Sequence, residues 1–364
     1  MRLQFLRPLF DSKGNYASVY VETSRAGETA AEAVALRWRA ARQALAENGV
    51  DDATLDSVAE LMTDRDYAAP GLAVFASEGW VRMSRPLPAP PRREIARYSR
   101  LPHVMPLLAQ APPRVPHLRV TANRAGGEVV EVYGEGQDRL IHVEGEGWPV
   151  HKTSVGGWSQ ARYQRSAEEA WAENAKELAA QVTAAVQRTG AELIVAGGDI
   201  KARSLFLDRL GQPLREIVVV VDREVPAGSD VLAVAADEAI RRRGEQACRA
   251  GLATVRNQLS RGRATEGLAN TLAALSEGRV AVLFIADDPS SDATAWIGPH
   301  PEELATSPAV LRDRGVSEPI VERADAAIVR ALASTGAELC FIPENEPAPK
   351  DGIGALLRYA TAGT

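Results

Sequence analysis

Cysteine and histidine are scarce in this chain, and every common catalytic signature is missing. Only Cys248 and Cys340 occur in 364 residues, far apart and in apolar contexts. That argues for buried free thiols and against a disulfide framework or a metal centre. The five histidines, His103, His117, His142, His151 and His300, stand apart without an H-x-x-x-H or Cys-x-x-Cys partner. Each is expected to be structural or superficial, with no metal and no cofactor. There is no G-x-S-x-G elbow, and VGGWSQ lacks the Lys-Ser/Thr pair that a P-loop brings to phosphate and magnesium. The glycines of GGEVVEVYGEG do not follow the strand-GxGxxG-helix order of a dinucleotide site. No apolar run approaches the ~20 residues of a membrane span. MRLQFLRPLF is broken by Pro8 and followed by Asp11 and Lys13, so it lacks a signal-peptide core. A cytoplasmic protein without a membrane partner is expected. A net charge of −6 argues against indiscriminate coating of nucleic acid, DNA included, but leaves room for a local basic patch.

What is present is the composition of a globular α/β protein, 45% hydrophobic and 25% charged. At ~100–200 residues per domain, two or three domains are expected. A first segment, 1–113, holds the strand YASVYVE, an amphipathic helix with Val34, Trp38, Ala41 and Leu45 inward, and a strand pair, GLAVFAS and GWVRMSR. Proline is dense in PLPAPPRRE and LPHVMPLLAQAPPRVPHL, so both stretches are expected to be connector and linker. The segment 114–229 has three candidate strands, a long helix ended by Gly190, the buried-type strand AELIVAGGD, a short helix and the buried-type strand REIVVVVD. The last segment, 230–364, opens with a long helix over about 231–260. Helix TEGLANTLAALSEG, strand RVAVLFIAD, helix ADAAIVRALASTG, strand AELCFIP and the closing DGIGALLRYA follow. Strands alternating with helices imply α/β layers.

One stretch, HKTSVGGWSQARY, stands out chemically. It is acid-free and carries His151, Lys152 and Arg162, with Arg165 beyond, which suits a phosphate-rich surface. Gly156 and Gly157 permit close backbone approach. An exposed Trp158 could stack on an unpaired base, worth ~1–3 kcal/mol, or fold back onto the following helix as a plug. Trp171 lies on that helix's apolar face and is expected in the core. Glu168, Glu169 and Glu173 are placed in its first turns, where they favour the positive end. Asp199 follows a strand end, and a turn aspartate is the commoner explanation there. The arginines of residues 241–263 present either a solvated helix face or an RNA- or partner-contacting one. Lys201 and Arg203 could meet RNA as well.

VGGWSQARYQRSAEEAWAENAKELAAQV followed by AELIVAGGDIKARSLFLDRL resembles the middle domain of the archaeo-eukaryotic class I release factors and Pelota. There a Gly-Gly-Gln loop leads into Ser-Ala-x-Arg-Phe and a long helix. TEGLANTLAALSEGRVAVLFIADD and DGIGALLRYA resemble two later blocks, so the likeness covers about residues 116–364 in order. The block WPVHKTSVGGWSQARYQRSAEEA is most similar to the actinobacterial dormancy-associated and Balon-type ribosome hibernation factors. The resemblance implies a three-domain α/β architecture. Its parts are a mixed-sheet N-terminal domain, a ribonuclease-H-like central domain and a C-terminal α/β sandwich of the kink-turn-binding ribosomal-protein type.

The same resemblance implies a loop of His151, Lys152, Gly156, Gly157, Trp158, Ser159, Gln160, Arg162 and Arg165 that meets ribosomal RNA in the A site. It also implies partner or RNA contacts at Arg241, Arg242, Arg249, Gly352, Gly354, Arg358 and Tyr359, with elongation factor Tu or another translational GTPase as partner. Gly352 and its neighbours could equally form a buried strand and its turn. On this alignment Trp158 occupies the position of the hydrolytic glutamine, and Gln160 is two residues displaced. At ~3.3 Å per extended residue the amide moves several ångströms, whereas catalytic positioning tolerates ~1 Å. The expectation is a non-enzymatic factor that enters the A site of idle or stalled ribosomes. The rivals are a release or rescue hydrolase using Gln160 and a stress-response module acting on another RNA or protein.

Overall fold

The computed structural model describes residues 1–12, 14–24, 30–63, 69–110, 115–133, 138–144, 157–226, 228–288 and 290–360, with the backbone alone at 30, 63 and 157–167. The chain divides into two compact units, Met1–Ala111 with Glu245–Thr364, and Pro112–Gly244. The three segments of the sequence are thus distributed over two units.

A 3-10 turn, Gln4–Phe10, opens the chain. It is followed by β1 (Tyr16–Glu22), α1 (Ala30–Glu47), α2 (Asp52–Thr63), β2 (Gly71–Ser77), β3 (Trp80–Leu87), β4 (Ile95–Ser99) and α3 (Met105–Gln110). The sheet order is β3-β2-β1-β4, and every pair is antiparallel, which corrects the expected mixed sheet. β2 and β3 are joined through Glu78 and Gly79 at φ 54 and 80, the two left-handed positions that a two-residue hairpin needs.

Both faces of β1 and β2 are buried. Val19, Val21, Leu72 and Val74 pack on Trp38, Leu45, Leu55 and Val58 of the two helices. On the opposite face Tyr16, Tyr20 and Phe75 share a core with Leu272, Leu283, Ile328 and Leu332 of the third segment.

The proline-rich stretch is not a linker. Its α3 buries Met105, Leu107 and Leu108, and Leu101 and Val104 are buried before it. The Tyr20 hydroxyl donates to the His103 carbonyl at 2.7 Å and accepts from the Leu107 amide at 3.2 Å. Pro106 falls in the first helical turn, where its missing N–H costs nothing. Pro106 therefore marks a helix start rather than a linker.

The second unit contains β5 (His117–Asn123), β6 (Gly126–Val132), β7 (Arg139–Glu144), α4 (Gly157–Thr189), β8 (Leu193–Gly198), α5 (Ile200–Arg209), α6 (Gln212–Arg215) and β9 (Val218–Val220). The sheet order is β7-β6-β5-β8-β9, an antiparallel meander continued by parallel β8 and β9. Leu178, Val182 and Ala185 of α4 meet Leu118, Val120 and Val129 of the sheet. Gly190 ends the helix at φ 67. The run REIVVVVD was expected to be buried, but only three of its residues pair, at the sheet edge, and Val220 is exposed. A valine run on an edge strand keeps one side unpaired, and periodicity does not show which strand is an edge.

Helix α7 (Val231–Gln258) begins in the second unit and ends in the first. β10 (Ala264–Glu266), α8 (Leu268–Ser276), β11 (Val280–Ala286), β12 (Thr294–Ile297), β13 (Leu304–Ala305), α9 (Pro308–Asp313), β14 (Ile320–Arg323), α10 (Ala324–Thr335), β15 (Glu338–Ile342) and β16 (Ile353–Leu357) complete the chain. They form a four-stranded sheet, β10-β16-β11-β15, and a small antiparallel one, β13-β12-β14. Nine of the twelve residues of α10 are buried.

Gly198 is tightly enclosed in the second unit. It sits at φ 108, and a Cβ there would stand 2.0 Å from the Ala122 carbonyl oxygen of the paired strand. Gly190→Ala meets nothing within 4 Å and should cost only the left-handed penalty, ~1 kcal/mol. Gly198→Ala should cost at least ~3 kcal/mol, because strain and a backbone clash add. Chemical denaturation of the two variants checks this ordering.

Candidate nucleic-acid interface

His151, Lys152 and Gly156 lie outside the described residues. Gly157 is the first residue of α4, so the backbone of Trp158, Ser159, Gln160, Arg162 and Arg165 is helical. This changes the geometry argued from an extended loop. Two positions along a helix amount to ~3 Å of rise and ~200° of rotation. The backbone positions of residues 158 and 160 therefore lie on nearly opposite sides of the helix axis.

No acidic residue occupies the first turn of α4. A helix start without acid keeps the attraction of its positive dipole end for anions. Glu168, Glu169 and Glu173, expected in the first turns, lie three turns or more into the helix. Glu173 pairs with Lys176 at 2.7 Å along the solvated face.

A second polar group gathers where β8 ends. The Asp199 carboxylate caps α5, accepting from the Lys201 and Ala202 amides at 2.9 and 3.0 Å. It also accepts from Arg124 Nε at 3.2 Å. The Ala202 amide and the Arg124 charge outweigh partial burial and lower its pKa. A carboxylate so occupied is a cap and not a proton acceptor in waiting. The Arg124 guanidinium also lies 4.7 Å from the ring centroid of Trp171, a cation–π contact. Asn174 donates to the Arg124 carbonyl at 3.0 Å. Trp171 is accordingly half-buried under an arginine rather than sunk in the core. Sequence reasoning missed Arg124, which sits in the turn of ANRAGGE with nothing local to connect it to α4.

Arg203 is not an RNA-facing residue. It is buried, donates to the Val221 carbonyl, and pairs with Asp222 at 2.7 Å. Helical spacing puts it on the inner side of α5, whereas Lys201, two residues earlier, is exposed.

The arginines of α7 are outward but largely engaged. Arg241 and Arg242 both pair with Glu238, at 2.8 and 2.7 Å. Arg243 donates to the Glu192 carbonyl at 2.6 Å. Arg249 reaches Glu346 at 3.0 Å and Glu245 at 3.5 Å, and Arg256 reaches the Pro347 carbonyl at 3.0 Å. Arg249 and Arg256 thereby hold the turn after β15 against the helix. In the closing motif, Gly352 turns at φ 70 and Gly354 lies in β16, where a Cβ would press on Pro349 and the Thr265 carbonyl. Arg358 donates to the carbonyls of Gly278 and Thr335, covering the end of α10, while Tyr359 is exposed.

Cys248 and Cys340 are free thiols that neighbour one another across α7 and β15. The contact with Cys340, together with burial, raises the Cys248 pKa. His117 is buried with Nδ1 at 2.9 Å from the Val115 carbonyl, and burial lowers its pKa. His142 is exposed beside Glu128 at 3.5 Å, and His300 is exposed. Among the described residues no cluster of three or more His, Cys, Asp or Glu could hold a metal ion, and no helix is long and apolar enough to cross a membrane.

Residues 116–261 match the family described as bacterial archaeo-eukaryotic release factor family 2. The whole chain is similar to two proteins of Mycobacterium tuberculosis, Rv2629 of strain H37Rv and MT2704 of strain CDC 1551. Each is 29% identical over 372 residues, spanning 99% of this chain and 97% of the relative. Among solved structures, Archaeoglobus fulgidus Pelota aligns over 99% of this chain and 93% of its own, at 14% identity and a TM-score of 0.37. Saccharomyces cerevisiae Dom34 aligns over 80% of each chain, at 10% identity and a TM-score of 0.36. At these scores the structural likeness carries no weight of its own.

The arrangement predicts a separation of roles on α5. Arg203→Ala should destabilise the protein by about 3 kcal/mol, since it empties a buried site and leaves a carbonyl unpaired. Lys201→Ala should fall within ~0.5 kcal/mol of the parent. Equal effects in urea denaturation would contradict this assignment.

Proposed function

We propose that the chain is a non-enzymatic translation factor that binds the A site of idle or stalled ribosomes and protects them without releasing peptide. The observation that carries this reading is the start of α4. The match to the release-factor family covers it, yet Trp158 stands where the resembling release factors place glutamine. Supporting chemistry comes from the acid-free helix start, the Gly156-Gly157 pair in the sequence there and the cationic residues around it. These suit backbone contact with phosphates and stacking on an unpaired base.

The finer assignments belong to the same reading. The sheet order β7-β6-β5-β8-β9, an antiparallel meander extended by two parallel strands, supports a ribonuclease-H-like central domain. The mixed sheet β10-β16-β11-β15 with α8 and α10 supports a kink-turn-binding type of C-terminal domain. That domain would meet elongation factor Tu or another translational GTPase, and the exposed arginines of α7 and Tyr359 are the residues available for it. Full-length similarity to two mycobacterial proteins fits an actinobacterial type, and the dormancy-associated, Balon-like character is part of the proposal.

Pelleting through a sucrose cushion tests the reading. The chain should co-sediment with purified ribosomes, more weakly as salt rises. Trp158→Ala should reduce the affinity about 10-fold, the equivalent of one lost stacking contact. Ribosomes carrying peptidyl-tRNA should release no peptide. Release that collapses on Gln160→Ala would establish the hydrolase instead, and failure to pellet would point away from the ribosome altogether.

A further inference from the structure

A pocket of about 700 Å³ lies in the first unit, where the 3-10 turn Gln4–Phe10 and Arg100 meet the last turns of α10 and the loop after β12. Its size falls within the ~300–1,000 Å³ typical of small-molecule sites. Its charged lining residues are Arg7, Arg100, Arg330 and Asp11. Three guanidinium groups against one carboxylate leave an excess of two positive charges. Phe10 is half-buried and Pro299 exposed, so apolar surface stays accessible in the same lining.

The protein leaves much of this charge uncompensated. Arg330 is 6% exposed, yet its guanidinium donates to carbonyls alone, those of Gly298 and His300 at 3.0–3.1 Å. Burial and the nearby Arg100 charge push its pKa down to about 10, and Glu303 and Glu302 offset this only in part. Arg7 donates through Nε and Nη2 to the Ala333 and Ser334 carbonyls at 2.8 and 2.7 Å. Its Nη1 has no partner among the described residues. Arg100 donates to the Gly14 carbonyl at 2.7 Å. Among the described residues neither Arg7 nor Arg330 has a carboxylate within ion-pairing distance, Asp11 included. Carbonyls fix a guanidinium without cancelling its charge, and a charge withdrawn from water is costly without a counter-charge. The structural role of these arginines explains their hydrogen bonds but not the gathering of like charge.

We propose that this pocket binds a small phosphate monoester. A monoester carries about −1.5 to −2 charge at neutral pH, which matches the excess of two. Arg7 and Arg100 supply charge-assisted hydrogen bonds, for which the planar guanidinium fork suits phosphate oxygens. Arg330 acts through its field, which requires no contact. The organic part of the ester lies along Phe10 and Pro299. A monocarboxylate would leave one positive charge unmatched, and a bare phosphate ion would leave the apolar surface unused. The site is independent of how the chain meets the ribosome.

Calorimetric titration of the full chain tests it. Phenyl phosphate should bind saturably, one per chain. Phenyl sulfate, of the same shape but singly charged, should bind about 10-fold more weakly. Arg7→Gln should weaken phenyl phosphate about 10-fold, with thermal unfolding checking that the variant is folded. Asp11→Asn, at an exposed side chain without a hydrogen bond among the described residues, should tighten it about 3-fold. This second variant decides the matter if Arg7→Gln proves unstable. No saturable binding of phenyl phosphate, equal affinity for phenyl sulfate, or binding that either folded variant leaves unchanged would overturn the proposal. So would an RNA trinucleotide without terminal phosphate that binds more tightly than phenyl phosphate and depends on Arg7, because a phosphodiester would then be the ligand.

Discussion

The burial of α10 on nearly every side is the constraint on which the first unit depends. Its sequence, ADAAIVRALAST, supplies small residues that let neighbouring backbones approach closely. The 3-10 turn near the amino terminus, α3, α8, β12 and β14 all pack against it. Leu3, Leu6 and Leu9 from one end of the chain and Leu272 and Leu283 from the third segment meet around it in one core. Such a helix cannot carry an unpartnered charge cheaply, and its polar residues are bonded accordingly. Arg330 donates to the carbonyls of Gly298 and His300 at 3.0–3.1 Å, and Asp325 is locked between Arg323 and His103.

Local pattern was enough for most elements. The 3.6-residue spacing in α1, α4, α7 and α8, the buried run of β8 and the strand character of the only partly buried β11 were legible because each is amphipathic or apolar within its own window. What was not legible depends on residues distant in sequence. Burial of β1 and β2 on both faces requires the third segment to cover them, and nothing within YASVYVE says so. The prolines around 88–116 looked like a linker because proline punctuates loops and also opens helices. Only tertiary contacts, such as those of Tyr20 with residues 103 and 107, decide between the two. Arg203 and Trp171 exchanged their expected environments for a similar reason. An arginine on an inner helix face is tolerable only with carbonyls and a carboxylate supplied by β9 and its neighbours. A tryptophan stays half-open when an arginine from another turn stacks on it.

For the candidate interface, the sequence carried more than the fold did. The motif and its departure from Gly-Gly-Gln are sequence facts. The structure adds that α4 starts at Gly157, which sets Trp158 and Gln160 on different sides of one helix. The paired arginines of α7 limit how much free positive charge that helix offers, while the helix start of α4 remains without acid. Under the proposed function, attraction for phosphate would be focused on the start of α4 rather than spread over the acidic chain as a whole.

Occupation of the ribosomal A site is the central claim. Competition with A-site tRNA tests it most directly, on ribosomes that already carry a P-site tRNA. Filter binding of labelled aminoacyl-tRNA should fall in proportion to the amount of chain bound, and Trp158→Ala should require a higher concentration to produce the same exclusion. Full tRNA occupancy on ribosomes saturated with the chain would contradict the account.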